Sequence, residues 1–289
     1  MADLCVVTDS CHYIPQALLD EHGISQVPLH VVLPDGTDRL ENSYGGDYTP
    51  FYDVMVNSTD LPKTSQPSTG EFLEVFTPLL DGGKDILGVF ISGGVSGTFA
   101  GAQTARETLG DRGAKITLVD SNSCAGGEAL TVLAAASAAR AGMAPDAAAE
   151  HTREAREHAR LWFAVDTLEY FHKGGRIGSA QAWIGAALRI KPILGFSAGE
   201  IEPIERVRTS KRVLERMTEY LHQLKEDNQD AWVVQHACDP ERANELAARG
   251  EEIMGCPPLL VSEIGPVLGT YAGPRMLGVA GVPSRYINL

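Results

Sequence analysis

The sequence predicts an α/β protein: a mostly parallel sheet flanked by helices over residues 1–160, then an α+β part over 161–289. Three observations lead there. Short β-branched runs alternate with helical patterns through the first half, an order that builds parallel sheets covered on both faces. Glycine- and serine-bearing turns separate them. Beyond the charged stretch "EHTREAREHAR" the order changes to strand-like runs around one long amphipathic helix, with an antiparallel sheet as the expected arrangement.

Taken in chain order, "LCVVT" is a strand ending in the turn-forming "DS", and "PQALLDEHG" is a short helix closed by Gly23. "VPLHVVL" alternates like a strand, "TPFYDVMVN" is helical, and "LPKTSQPS" is a loop. A helix over "TGEFLEVFTPLL", a strand "DILGVFIS", a turn "GGVSG" and a helix "TFAGAQTARETL" follow. The strand "KITLVDS", an alanine-rich helix from about Cys124 and a second helix ending near His158 complete the first part. The second part opens with the strand "LWFAV" and continues through "LEYFHKGGRIG" and a small-residue helix "SAQAWIGAAL". Strand-like "KPILGFSAGEIEPIERVR", the helix "SKRVLERMTEYLHQLKE", the strand "AWVVQHA", the helix "PERANELAARG" and the strands "PLLVSEI" and "MLGVAGV" complete it.

At 289 residues, 44% hydrophobic and 21% charged, the chain has the composition of a folded protein of about two domains. No apolar run reaches the roughly 18 residues of a membrane span. "MADLCVVTDS" has no basic segment before an apolar core, so the expectation is a cytoplasmic protein without a secretion signal. Five scattered cysteines without C-x-x-C suit reduced thiols, and the eight histidines offer no H-x-x-x-H, so neither a metal nor a cofactor is expected. His151 and His158, seven apart among Arg and Glu, read as solvated. A net charge of −14 repels nucleic acid and anionic lipid except where positive charge is concentrated. From Tyr170 to Gly199 there is no acid, while Lys173, Arg176, Arg189 and Lys191 are present.

Two stretches carry chemistry. "PKTSQPST" gathers Thr64, Ser65, Gln66, Ser68 and Thr69, neutral donors before a helix that Ser68 or Thr69 would cap. "SGGVSGTF" is not a nucleophile elbow, since Thr98 stands at the last glycine of G-x-S-x-G, and it is no Walker loop, lacking Gly-Lys-Ser/Thr. Ser96 reads as the N-cap of the next helix. A helix N-terminus also suits an anion, so Ser96, Gly97 and Thr98 fit both roles. No general base lies near either stretch in sequence.

"VVTDS", "PKTSQPSTGEF", "ISGGVSGTF", "LVDSNSCAGG", "LEYFHKGGRIG", "RVRTSKR" and "IGPVLGTYAGP" occur in the order and spacing of the DegV family, which the chain resembles along its whole length. The resemblance implies a bacterial fatty-acid-binding protein with the ligand tunnel between its two domains. It would be the non-catalytic lipid carrier of a fatty acid kinase, in which a separate kinase subunit phosphorylates the carboxylate from ATP for phospholipid synthesis. It further implies that the carboxylate lies against Thr64 or Ser65 from one loop and Ser96 from the other. Arg176 and Tyr271 become ligand-proximal candidates; Tyr271 stands where the family often carries histidine, and Arg275 where glycine is usual.

Two basic features take second roles. "GGRIGSAQAWIGAALRIK", with Trp183, Ile184 and Leu188, is either a core helix or a mobile cover that touches membrane lipid during exchange. Arg206, Arg208, Lys211 and Arg212 precede a helix and either dock the kinase subunit, as the resemblance suggests, or pair with Glu215 and Glu219. The alternatives to a kinase subunit are a self-contained serine-dependent acyl transferase or hydrolase using Ser96, and a fatty acid storage or sensing module without a kinase partner.

Overall fold

A computed structural model describes residues 3–184 and 190–288. The strands are β1 (Leu4–Thr8), β2 (Ser25–Gln26), β3 (His30–Val32), β4 (Asp38–Leu40), β5 (Lys63–Ser65), β6 (Asp85–Phe90) and β7 (Ile116–Asp120). They continue with β8 (Arg160–Ala164), β9 (Lys191–Ser197), β10 (Glu200–Val207), β11 (Ala231–His236), β12 (Leu260–Glu263) and β13 (Leu277–Val282). The helices of the first half are α1 (Gln16–His22), α2 (Thr49–Asn57), α3 (Thr69–Asp81), α4 (Thr98–Thr108), α5 (Ala125–Arg140) and α6 (Pro145–His158). Those of the second are α7 (Glu169–Gly174), α8 (Ser210–Glu226), α9 (Pro240–Met254) and α10 (Pro266–Ala272).

The first sheet has the order β2-β1-β6-β7 and every pairing in it is parallel. One face packs on α3 and α4 through Phe72, Phe76, Phe90 and Ala102, the phenylalanines making edge and tilted ring contacts. The other face packs on α5 and α6. The second sheet has the order β10-β9-β8-β13-β11-β12 and is antiparallel except for β11–β12. That parallel pair departs from the expected antiparallel sheet because α9 links its two strands as a crossover, which returns the chain in the same direction.

All strands of the first sheet precede Arg160 and all those of the second follow from it. Both sheets nevertheless pack on α5. This helix is alanine- and glycine-rich and buried from Ala125 to Ala138, so it has no solvent face for nearly four turns. Small side chains allow the approach: a Cβ on Gly126 would come within 2.9 Å of both Ala280 Cβ and Val233 Cγ2. One apolar cluster therefore runs from Leu4 and Leu87 through α5 to Val233 and Ala280.

Three local readings differ from the sequence expectation. Lys63–Ser65 is not a loop but the strand β5, paired antiparallel to β3 in a small sheet of order β4-β3-β5. A polar tripeptide has no hydrophobic period to announce it; the open edge of β3 supplies its backbone partners. The helix α10 was not visible between two strands because it is only seven residues long, although Gly265 and Pro266 mark its start. His151 and His158 are not simply solvated: both rings pack on Tyr286, and His151 Nε2 lies 3.0 Å from the Tyr286 carbonyl.

Trp232 is fully buried beneath α8 and α9, and a Cβ on Gly250 of α9 would lie 2.2 Å from its Cη2. Alanine gains roughly 1 kcal/mol of helix propensity over glycine. Overpacking a closed core costs typically about 1–3 kcal/mol. Because the contact is to a rigid indole, the clash wins. Gly250→Ala is expected to lower the urea midpoint, and an increase would show that the indole yields without cost.

Candidate functional site

The hydroxyl-bearing segment Thr64–Thr69 is fixed at both ends. Ser68 caps α3 in a reciprocal box: its Oγ accepts from Glu71 N–H at 3.3 Å, and Glu71 Oε2 accepts from Ser68 N–H at 2.7 Å. Glu71 Oε1 also meets His30 Nε2 at 2.7 Å, while His30 Nδ1 meets Asp38 Oδ1 at 3.1 Å. Partial burial opposes a charge on His30, yet the bonds from Glu71 and Asp38 outweigh it and raise its pKa. His30 thus ties the small sheet to the first turn of α3.

The second segment, Ser92–Thr98, leaves the carboxyl end of β6. Asp9 sets its origin, accepting Ile91 N–H at 2.7 Å and Cys11 N–H at 2.7 Å. Ser92 Oγ donates to the Gly199 carbonyl at 2.6 Å, anchoring the turn on the β9–β10 hairpin. The N-cap of α4 is Gly97, not Ser96 as the spacing suggested. Ser96 lies one residue earlier, its Oγ 2.9 Å from Thr98 Oγ1 and accepting Thr98 N–H at 3.3 Å. Thr98 is fully buried and, among the described residues, is not part of the cavity wall; it orients Ser96.

Gln66 joins the two segments. A Cβ on Gly97 would sit 1.8 Å from Gln66 Oε1, so only glycine leaves room for the contact. Thr64, Ser65, Gln66, Ser96 and Gly97 consequently line one cavity of about 310 Å³, within the range of small-molecule sites. Tyr271 and Arg176 line it too. Tyr271 OH lies 2.5 Å from Thr64 Oγ1, its ring rests on Gly174, and the Arg176 guanidinium stands 5.2 Å from the ring centroid. Arg176 also donates to the Gly174 carbonyl at 2.9 Å.

Beyond this polar rim the wall is apolar, with Phe163, Phe171, Val233, Ile264, Met276 and Val279 among its members. None of these was singled out from sequence, because a cavity wall and a packed core share one composition. The cavity is bounded by the first turn of α5 (Cys124, Ala125, Gly126), by strands of the second sheet and by α10. Its described lining contains no His, Asp, Glu or Lys, and Arg176 is its only ionised side chain.

Buried acids surround this site without entering it. Glu41 accepts from Ser10 Oγ at 2.5 Å, Tyr13 OH at 2.8 Å and Val267 N–H at 2.7 Å, and so holds the first turn of α10. Burial drives its carboxyl up to about 7, against those three hydrogen bonds. Burial also raises Asp9 and, more strongly, Glu128, whose carboxyl the neighbouring Asp9 pushes up further. The described residues hold no cluster suited to a metal ion.

The other basic candidates lie elsewhere. Arg206, at the end of β10, stacks on Trp183 with its Cζ 4.9 Å from the ring centroid. Arg208 and Lys211 are exposed, whereas Arg212 bonds Glu215 and Glu219 at 3.1 Å each. Of the expected helix over 179–188, the described part forms a 3₁₀ turn at Gly178–Trp183, and residues 185–189, Leu188 and Arg189 among them, lie outside the described residues. Arg275 adopts φ 67°, a left-handed conformation natural to glycine, and places Nε 3.5 Å from Asp166 Oδ2.

The family model described as "Uncharacterised protein, DegV family" matches residues 3–284. A DegV domain-containing protein of Streptomyces coelicolor is 35% identical over 285 residues, covering 98% of this chain and 99% of that protein. Among solved structures, the chain is similar to DegV, a fatty acid binding protein from Bacillus subtilis, at 30% identity and TM-score 0.87 over 98% of this chain and 99% of that one. It is also similar to a DegV family protein from Thermus thermophilus studied for fatty acid binding, at 28% identity and TM-score 0.87 over 97% and 99%. The chain belongs to the DegV family.

Glu41 generates a pH dependence. Its folded pKa of about 7 exceeds the ordinary 4.5, so the folded state binds the proton more tightly than the unfolded one. Stability then declines as pH rises from 4.5 towards 7, where the unfolded carboxyl ionises freely and the buried one resists. Glu41→Gln is expected to flatten the stability–pH profile across that window in urea titrations. A profile parallel to the wild type would rule out Glu41 as its source.

Proposed function

We propose that this DegV-family chain binds a long-chain fatty acid in the cavity and presents its carboxylate to a separate kinase subunit. The observation that carries the reading is one apolar cavity rimmed by Thr64, Ser65, Gln66, Ser96, Gly97 and Tyr271. Hydroxyls hydrogen-bond a carboxylate without a formal counter-charge. A bidentate arginine would hold both oxygens and hinder the attack of either on phosphorus. Arg176, at the rim, is occupied by a backbone carbonyl and the Tyr271 ring instead. In the reaction a carboxylate oxygen bonds to the γ-phosphorus of ATP on the kinase subunit, the bond to the β–γ bridging oxygen breaks, and ADP leaves.

The hydrocarbon provides most of the affinity. At about 0.8 kcal/mol per methylene, a chain of about fourteen contributes roughly 11 kcal/mol before the costs of association. A serine hydrolase reading finds less support, since Ser96 bonds Thr98 and the described cavity wall offers no general base. The exposed Arg208 and Lys211, with Arg206, suit docking to an acidic face of the kinase subunit. The carrier reading sets the chain in the cytoplasm, next to its kinase.

Organic extraction of the purified protein followed by mass spectrometry is expected to release stoichiometric fatty acid; an empty extract from a protein that also fails to bind added palmitate would sink the reading. Ser96→Ala is expected to weaken retention modestly, by about 1–3 kcal/mol, while phosphorylation in the reconstituted kinase assay falls much further. Equal losses of retention and turnover would assign Ser96 to holding alone. In the same assay, salt is expected to reduce turnover without unloading the lipid if docking is electrostatic.

A further inference from the structure

Gln235 is a buried amide on a wall otherwise suited to hydrocarbon. It lies near the end of β11, in register with Gly278 of β13, and both residues line the cavity. Alternate residues of a strand share a face, so the pair two positions back, Val233 and Ala280, lines it too. By period and burial, position 235 suits valine or leucine. A glutamine only 3% exposed costs free energy there unless its polar atoms are bonded.

The amide is satisfied at one end only. Nε2 donates to the His12 carbonyl at 3.0 Å and to Ser262 Oγ at 3.0 Å, which uses both of its hydrogens. A carbonyl can only accept, so the bond to His12 fixes which way the amide is turned. Oε1 has no hydrogen-bond partner among the described residues, and of the side-chain atoms in that state it alone belongs to a residue of the cavity wall. Neither His12 nor Ser262 is part of that wall, whereas a Cβ placed on the wall residue Gly126 would lie 3.5 Å from Oε1. The nitrogen is thus turned into the protein and the oxygen towards the cavity. The wall residues nearest to it, Gly126, Val233, Gly278 and Ala280, have no side-chain donor to offer. Oε1 is recessed, and the two glycines leave no side chain between it and a chain pressed against them.

We propose that Gln235 Oε1 accepts a hydrogen bond from a hydroxyl on the acyl chain, so that the cavity takes long-chain hydroxy fatty acids and Gln235 recognises the hydroxyl. The proposal rests on the fatty acid reading and names a substrate class for it. A wholly apolar wall rejects a chain hydroxyl, which gives up its water on entry and gains no partner. Here one bond satisfies both the hydroxyl and the unpaired oxygen. With the carboxylate held at the hydroxyl rim, the place of Gln235 along the cavity decides which carbon must carry the hydroxyl.

The test measures competition binding of stearate and of a series of stearates bearing one hydroxyl at successive carbons. In the wild type one position is expected to bind at least as tightly as stearate, with the other isomers about tenfold weaker. In Gln235→Met, similar in length but without the amide, the favoured isomer is expected to lose about ten- to a hundredfold while stearate holds or tightens. Ser262→Ala removes a partner of Nε2 but not the oxygen and is expected to keep the preference; its loss there would trace the preference to packing and overturn the proposal. A preference that survives Gln235→Met overturns it as well. Should that variant not fold, the wild-type series decides by itself, because an equal penalty at every hydroxyl position rules out recognition by Gln235. Failure of the wild type to hold stearate and every hydroxy isomer overturns the fatty acid reading instead, so the two outcomes are separable.

Discussion

The close approach of two sheets onto one helix governs the rest of the molecule. α5 is buried on every side from Ala125 to Ala138, and its alanines and glycines set the separation of β1 and β6 from β11 and β13. A larger side chain anywhere on this face would force the sheets apart, because interiors are packed without slack. The cavity lies where this filling stops. At its first turn α5 offers only Cys124, Ala125 and Gly126, and beyond them the space between the sheets is left open.

The polar rim depends on a second close approach, made by side chains from distant parts of the chain. Gln66 reaches the Cα of Gly97, and Tyr271 rests on Gly174 while meeting the Thr64 hydroxyl. The left-handed backbone at Arg275 shortly follows Tyr271, and its N–H donates to the Ala237 carbonyl at 2.6 Å. An arginine pays conformational strain there that glycine avoids, and its Nε lies 3.5 Å from Asp166 in return. Apart from Arg176, the described rim is therefore built from neutral donors, and glycine contacts bring the two segments together.

Charge is kept behind the walls. Asp9 holds Ile91 at the root of the Ser92–Thr98 turn, and Glu41 holds Val267 at the start of α10, each by direct backbone hydrogen bonds. Both carboxyls are fully buried, so their pKa values rise and each costs stability once ionised. What they contribute is position: two wall elements are tied to β1 and to the 3₁₀ turn at Glu41–Tyr44. Glu128 makes no such backbone bond among the described residues, and burial beside Asp9 raises its pKa inside α5.

Local pattern was enough for most elements. β-Branched runs marked β1, β6, β7 and β11, an apolar aromatic run marked β8, the 3.6 period marked α3 and α8, and Gly23, Ser68 and Cys124 sat where the helix ends were read. The motifs carrying Thr64, Ser65, Ser96 and Gly97 were equally legible, since hydroxyls and glycines in turns are local chemistry. What the sequence could not contain was adjacency. The pairing of β5 with β3, the shift of the α4 cap from Ser96 to Gly97, the burial of Thr98, the meeting of Thr64 with Tyr271 across 207 residues, and the apolar wall all arise from long-range packing. Residue type and period are properties of a segment and survive in a string of letters. A cavity is a property of what several segments fail to fill, and only the assembled tertiary structure decides that.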